Sequence, residues 1–295
     1  MKLVVPEVSL QEPASEKAVA ASAPVAVGGL GGSGTRVVAQ ILREAGIAIG
    51  GDLNDSLDNL WFTLLFKHRG ILQMPDDRFR RLVAIFVAAM SGGGCPTTSP
   101  DPAMVDELAA QDRIQHDSKW LRARAESLRR ALAKPVGTSR WGWKEPNTHM
   151  VVDRLAAELP GMKYIHVARN GLDMAYSSNQ NQLQLWGPAV LGADHAMTPR
   201  NALRFWCWAH ARIVGIGERM KPRFLFVRLE DLCAVPEAEI RKILTFAGVK
   251  VDAMLLDRAA KHVVPPKSIG RYRTHSAEVF DPGDVAFARK LGFEV

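Results

Sequence analysis

The chain has 295 residues, 47% of them hydrophobic, which is enough for one sizeable core or for a core with a smaller subdomain. Its three cysteines, Cys95, Cys207 and Cys233, lie too far apart for a disulfide framework or a zinc site and suit a reducing compartment. A net charge of +7 favours anionic ligands, but the aromatic–basic interleaving of nucleic-acid modules is missing, so a nucleic-acid partner is discounted.

The opening MKLVVPEVSL has only a short apolar run, broken by Pro6 and followed by Glu7, so no signal peptide is read there. The most apolar piece, from Leu82 to Met90, is too short to span a bilayer. A cytoplasmic protein without stable membrane insertion is expected. Residues 1–22, rich in Ala, Ser, Glu and Pro without periodicity, read as a flexible tail, and residues 23–295 as one domain. At Val25 a short β-branched run ends in glycines, the pattern of a buried strand. Helical spacing of Val37, Val38, Ile41, Leu42 and Ala45 predicts a helix from Thr35 to Ala45, stopped by Gly46. Ile47-Ala48-Ile49 predicts a second strand. Residues 53–134 show helical patterns and no strand candidate, apart from a loop from Ser91 to Pro102, and read as a helical insertion over the sheet. From Trp141 the α/β pattern returns. Asn147 is a candidate cap for a helix carrying Val151, Val152, Leu155 and Leu159. Tyr164 to Ala168 and Phe224 to Val227 read as buried strands, and a helix from Pro236 ends at Ala247 before Gly248. The fold class that follows is α/β, in three layers around a central parallel sheet.

Three chemistries compete for the turn VAVGGLGGSGTR. Gly29-x-Gly31-x-x-Gly34 has dinucleotide-binding spacing, with Asp52 near the position of a ribose-binding carboxylate. Gly29 to Gly34 also frames a nucleotide-kinase loop, but Thr35 and Arg36 stand where lysine and a hydroxyl are needed. A Ser-Gly-Thr turn can instead surround a phosphate-like group with backbone amides, hydroxyls and a helix N-terminus. The turn alone leaves the first and third readings open. Arg169, at the carboxyl end of a strand, would point into the same crevice. Ser177, on the following helix, lies a little over two turns along. Such a pair can grip a terminal phosphate, although an ordinary ion pair between Arg169 and Asp173 explains the arginine equally well.

These residues resemble a family. Gly32-Ser33-Gly34-Thr35-Arg36 is similar to the 5′-phosphosulfate loop of sulfotransferases that use 3′-phosphoadenylyl sulfate (PAPS), and Arg169 to Ser177 resembles their 3′-phosphate strand and helix. Trp143-Lys144-Glu145-Pro146 resembles the Lys-Asp/Glu-Pro element of tyrosylprotein and bacterial carbohydrate sulfotransferases. Val227 to Leu232 and Ser268 to Arg273 are similar to late elements of bacterial members. The resemblance implies a P-loop NTPase-like fold and in-line transfer of the sulfuryl group from PAPS to an acceptor hydroxyl, with PAP released and no metal. It assigns Gly31, Gly32, Ser33, Gly34, Thr35 and Arg36 to the 5′-phosphosulfate. Arg169 and Ser177 are assigned to the 3′-phosphate, with Lys267, Gly270 and Arg271 closing over it. Lys144, beside Trp141 and Trp143, would stabilise the leaving oxygen. The family's usual cation before Ser-Gly-Thr is replaced by Gly32, and Arg36 and Lys144 are the nearby substitutes.

A general base is expected on the segment from Asp52 to Asp58. Asp58 comes first and Asp55 second, the two sharing a face if the segment is helical; Asp52 and His149 remain candidates. The insertion would form the acceptor side. Its arginines (78, 80, 81, 122, 124, 129 and 130) would favour an anionic glycan or glycolipid if they lined the cleft, although such spacing usually makes a solvated face. The acceptor is expected to be a small molecule or glycan. An NAD(P)-binding oxidoreductase and a catalytically degenerate PAP-binding module are the competing functions.

Overall fold

A computed structural model describes residues 23–91, 102–134 and 140–295. The expected tail and most of the loop between Ser91 and Pro102, with Cys95, lie outside the described residues. The chain opens with β1 (Val25–Gly29) and, after the glycine loop, α1 (Thr35–Glu44). The insertion contributes α2 (Leu60–Phe66), α3 (Asp76–Ser91), α4 (Pro102–Ala109) and α5 (Ser118–Ala133). Next come β2 (Gly142–Lys144), α6 (Val152–Glu158), β3 (Lys163–Ala168), α7 (Gly171–Ala175), α8 (Asn181–Val190) and α9 (Pro199–Met220). The last part holds β4 (Phe224–Arg228), α10 (Leu229–Ala234), α11 (Pro236–Phe246), α12 (Ala253–Ala260) and α13 (Pro282–Lys290).

Among the described residues the strands form one sheet in the order β2-β1-β3-β4, with every pairing parallel. Side chains alternate across a strand, and both faces are buried, which is why the strands read as continuous apolar runs. Val25 and Val27 pack with Ile165, Val167 and Val227 against α1, α11 and α12 on one face. Ala26, Trp143 and Tyr164 join the larger core on the other face, together with the helices of the insertion and α9. The three-layer α/β architecture expected from the sequence is therefore present.

Two elements differ from expectation. Ile47-Ala48-Ile49 is not a strand; Ala48 makes a single parallel bridge to Trp141. The strand beside β1 is instead β2, which is too short for its periodicity to stand out. Asn147 does not cap a long helix. A short 3-10 turn spans Pro146–Met150, capped by the Glu145 carboxylate, which accepts from the Asn147 amide at 2.5 Å. The main helix begins only at Val152.

Candidate active site

The carboxyl ends of β2, β1 and β3 lie side by side, so the loops that leave them converge, as open parallel sheets require of a ligand site. They wall a cleft of about 360 Å³ lined by Gly31, Gly32, Gly34, Thr35, Arg36, Lys144, Arg169, Asp58 and neighbours.

The glycine loop is shaped by backbone that L-residues avoid. Gly32 has φ +93° and Gly34 φ +94°, both in the left-handed region that favours glycine. Gly34 is the N-cap of α1 and offers no side chain to the helix, whose first turn holds no acidic residue. The first-turn amides have no intrahelical partner and, with the helix dipole, suit an anion. Ser33 differs from its expected role. It is fully buried, and its hydroxyl packs back toward Gly29 with no hydrogen-bond partner instead of lining the cleft.

Lys144 ends β2, and its side chain is only 2% exposed. Strand alternation puts it in register with Val27, on the α1 face, while Trp141 and Trp143 belong to the core of the opposite face. The two tryptophans therefore do not desolvate it directly; Ser56 and Asp58 of the preceding loop contact its Nζ. Lys144 Nζ donates to the Ser56 carbonyl at 2.9 Å and forms an ion pair with Asp58 Oδ1. Glu145 points the other way. It is buried, and burial above all pushes its carboxyl above the usual range, with the charge of Lys67 opposing. Its oxygens accept from the Asn147 backbone and side chain, so it shapes the turn and does not face the cleft.

The segment from Asp52 to Asp58 is not helical. Asn54 Oδ1 accepts from the amides of Ser56 (3.0 Å) and Asp58 (2.8 Å), and Leu57 has φ +63°. These side-chain bonds offer the backbone a turn in place of a helix. Asp58 Oδ2 accepts from Asn54 Nδ2 at 3.0 Å, so one carboxylate is oriented by an amide and a lysine. Asp55 points to solvent, away from the cleft wall. Asp52 pairs through Oδ1 with Arg124 of α5 at 2.7 Å, its Oδ2 is buried without a hydrogen-bond partner, and it is not part of the cleft wall. His149 is sealed in the core, where its Nε2 meets Gln182 Oε1 at 3.0 Å and burial drives its pKa down to about 3. Of the four candidate bases only Asp58 lines the cleft.

Arg169, at the end of β3, is buried but reaches the cleft. Its Nη2 donates to the Ser268 carbonyl (2.5 Å) and hydroxyl (2.9 Å) and pairs with Asp173 Oδ2 at 3.5 Å. Its Nε is buried without a partner. Arg169 thus has an ion pair and an unspent donor. Ser177 lies beyond the end of α7, because that helix stops at Ala175. Its hydroxyl accepts from the Asn179 amide at 3.2 Å, and Asn179, not Ser177, lines the cleft. Lys267 is exposed and off the cleft wall. Gly270 and Arg271 are also off the wall: the Gly270 amide donates to Asp173, and Arg271 Nη1 donates to the Tyr176 carbonyl at 3.0 Å.

Val37, Ser56, Pro146, Asn179, Leu229, Val264 and Pro266 complete the wall. Leu229 directly follows β4, so its place at a strand's carboxyl end was the one available signal for it. The insertion's arginines are not cleft residues. Arg78, Arg80, Arg124, Arg129 and Arg130 pair with Glu107, Glu158, Asp52, Asp106 and Glu126, the solvated face that helical spacing usually makes. Among the described residues no helix is long and apolar enough to cross a membrane.

Residues 24–253 match the family model described as the sulfotransferase family. No curated protein matches the chain. Solved structures similar to it include the sulfotransferase domain of the olefin synthase of Synechococcus PCC 7002, at 15% identity over 92% of this chain and 95% of that one, with a TM-score of 0.48. A sulfotransferase from Mycobacterium avium is 14% identical over 93% of this chain and 78% of that one, with a TM-score of 0.48. The sulfotransferase domain of the curacin biosynthetic pathway is 15% identical over 92% and 98%, with a TM-score of 0.49.

Proposed function

This chain belongs to the sulfotransferase family, and on that premise we propose that its cleft transfers the sulfuryl group of PAPS to an acceptor hydroxyl and releases PAP. One observation carries the reading: residues far apart in sequence, the glycine loop, Asp58, Lys144 and Arg169, line a single cleft. The donor fits the residues present. The uncapped N-terminus of α1 and the buried, unpartnered Arg169 Nε are what two separate anionic groups need.

In this reading the amides of Gly32, Gly34, Thr35 and Arg36 hold the 5′-phosphosulfate, the Ser33 amide being taken by the Leu30 carbonyl at 3.0 Å, and Arg169 holds the 3′-phosphate. Arg36, exposed on the cleft wall, adds positive charge beside Gly32. Asp58 takes the proton of the acceptor hydroxyl as its oxygen bonds to sulfur. The bond from sulfur to the bridging oxygen breaks, and Lys144, held ready by Asp58 and Ser56, faces the charge left on that oxygen. Fixed cations placed where charge develops are usually the largest part of such a rate enhancement. Asn179 takes the place intended for Ser177 on the wall. The acceptor is a small molecule or glycan, and the seven arginines named for the insertion, none of which lines the cleft, give no reason to require an anionic one.

Calorimetry with PAP, ATP and NADP, followed by transfer from sulfur-labelled PAPS to a panel of hydroxyl acceptors, tests the proposal. Tight PAP binding with weak NADP binding and turnover is expected. PAP binding without turnover on any acceptor would leave a catalytically degenerate module, for which Gly32 is the favouring observation, and preferential NADP binding would refute the reading.

A further inference from the structure

Asp173 takes no part in lining the cleft, yet the donor end of the cleft is organised around it. Its side chain is 1% exposed, and a carboxylate so buried needs charge and hydrogen-bond partners. It has three. Oδ2 accepts from the Gly270 amide at 2.8 Å and faces Arg169 Nη2 at 3.5 Å, while Oδ1 accepts from the Tyr272 amide at 3.1 Å. Gly270 and Tyr272 belong to the C-terminal loop, whose Val264 and Pro266 form part of the cleft wall. Ser268 of the same loop closes the circuit by accepting twice from Arg169. One carboxylate on α7 therefore fixes both a guanidinium and a loop from a distant part of the chain.

Resting on the PAPS reading above, we propose that Asp173 is the positioning residue that sets selectivity for a 3′-phosphorylated nucleotide, by holding the Arg169 guanidinium and the loop of Ser268 in one arrangement. Arg169 needs a countercharge to stay buried. Asp173 supplies it, and the Gly270 and Tyr272 amides each occupy a lone pair of its carboxylate. Because Asp173 claims Nη2 together with Ser268, the unpartnered Nε is left as a donor for that phosphate. A carboxamide in its place keeps the size of the side chain, but it removes the countercharge and sets an N–H against one backbone amide.

The test measures calorimetric binding of PAP and of adenosine 5′-monophosphate, which lacks the 3′-phosphate, to the full chain and to Asp173→Asn, Asp173→Glu and Ser268→Ala. The wild type is expected to prefer PAP. Asp173→Asn and Asp173→Glu should weaken PAP roughly 10- to 100-fold and leave adenosine 5′-monophosphate within about 2-fold, so that the preference collapses while the nucleotide still reports a folded site. Ser268→Ala, at a partly exposed position, should lose a smaller part of the preference, and it carries the test if the buried variants do not fold. A wild-type preference that survives intact in the folded variants would overturn the role of Asp173. Equal weakening of both nucleotides would overturn it too, by marking a merely structural residue. A wild type that binds the two nucleotides equally would instead refute the 3′-phosphate reading itself.

Discussion

Replacing Gly34 by alanine, alongside the same change at Gly32, separates two costs of the glycine loop. Both glycines have φ near +93°, a backbone that costs an L-residue about 1–2 kcal/mol. Their surroundings differ. A Cβ on Gly34 would lie 2.6 Å from Leu229 Cδ1, whereas one on Gly32 would meet nothing within 4 Å. Leu229 is 3% exposed and has little room to give, and forcing a methyl into such a site adds about 1–3 kcal/mol. Gly32→Ala should therefore cost about 1–2 kcal/mol and Gly34→Ala about 2–5 kcal/mol. Urea denaturation followed by tryptophan fluorescence reads both values. Leu229 also lines the cleft, so PAP affinity should fall much further in Gly34→Ala. Equal stability losses in the two variants would refute the steric argument.

Lys144→Ala should lower turnover from labelled PAPS by about 10²–10³-fold while PAP binding persists; a loss below about tenfold would show that another cation carries the leaving oxygen. Asp58→Asn should cost about 10²–10⁴-fold in kcat, whereas Asp55→Asn, at an exposed position, should turn over normally. If Asp58→Asn keeps full activity, the base is elsewhere. Burial holds the pKa of His149 at about 3 and those of His68 and His210 at about 4, all below the usual 6.5. The unfolded chain therefore binds protons that the folded chain refuses, so stability is complete above about pH 6.5 and is lost as pH falls toward about 4. Burial holds His166 well below 6.5 too, and four such groups set a slope of about 5 kcal/mol per pH unit near pH 5. Thermal unfolding recorded across that range checks it, and a flat profile between about pH 6.5 and pH 5 would contradict it.

The elements that sequence revealed were those whose pattern is local. β1, α1, β3 and β4 each carry an apolar run or periodicity long enough to stand out, and glycines mark the ends of β1 and α1. β2 failed that test because three residues give no period, and the apolar Ile47-Ala48-Ile49 drew the assignment instead. In the cleft, Lys144, Arg169 and Asp58 were legible because each sits where a strand or loop must deliver it. Ser177 was misplaced because a helix was extended past Ala175. The shared face of Asp55 and Asp58 required a helix, and the Asn54 side chain, through its two bonds to backbone amides, makes a turn there instead. Asn179, Val264 and Pro266 could not be found, since only long-range packing brings those loops to the cleft. Asp173 was read as a plain ion-pair partner; its two loop amides come from a segment that no local pattern ties to it.

The pairing of β1 with β2 sets Val25 beside Gly142, with the whole insertion between them. Parallel pairing at such separation closes a long loop before any contact rewards it, so it forms slowly and late. The glycine loop hangs from one of these strands and Lys144 from the other. During refolding, helical signal should therefore return well before nucleotide affinity does. A nascent chain that has not yet emerged past Lys144 can build much of its helical layer, yet it has no cleft in which to hold a phosphosulfate.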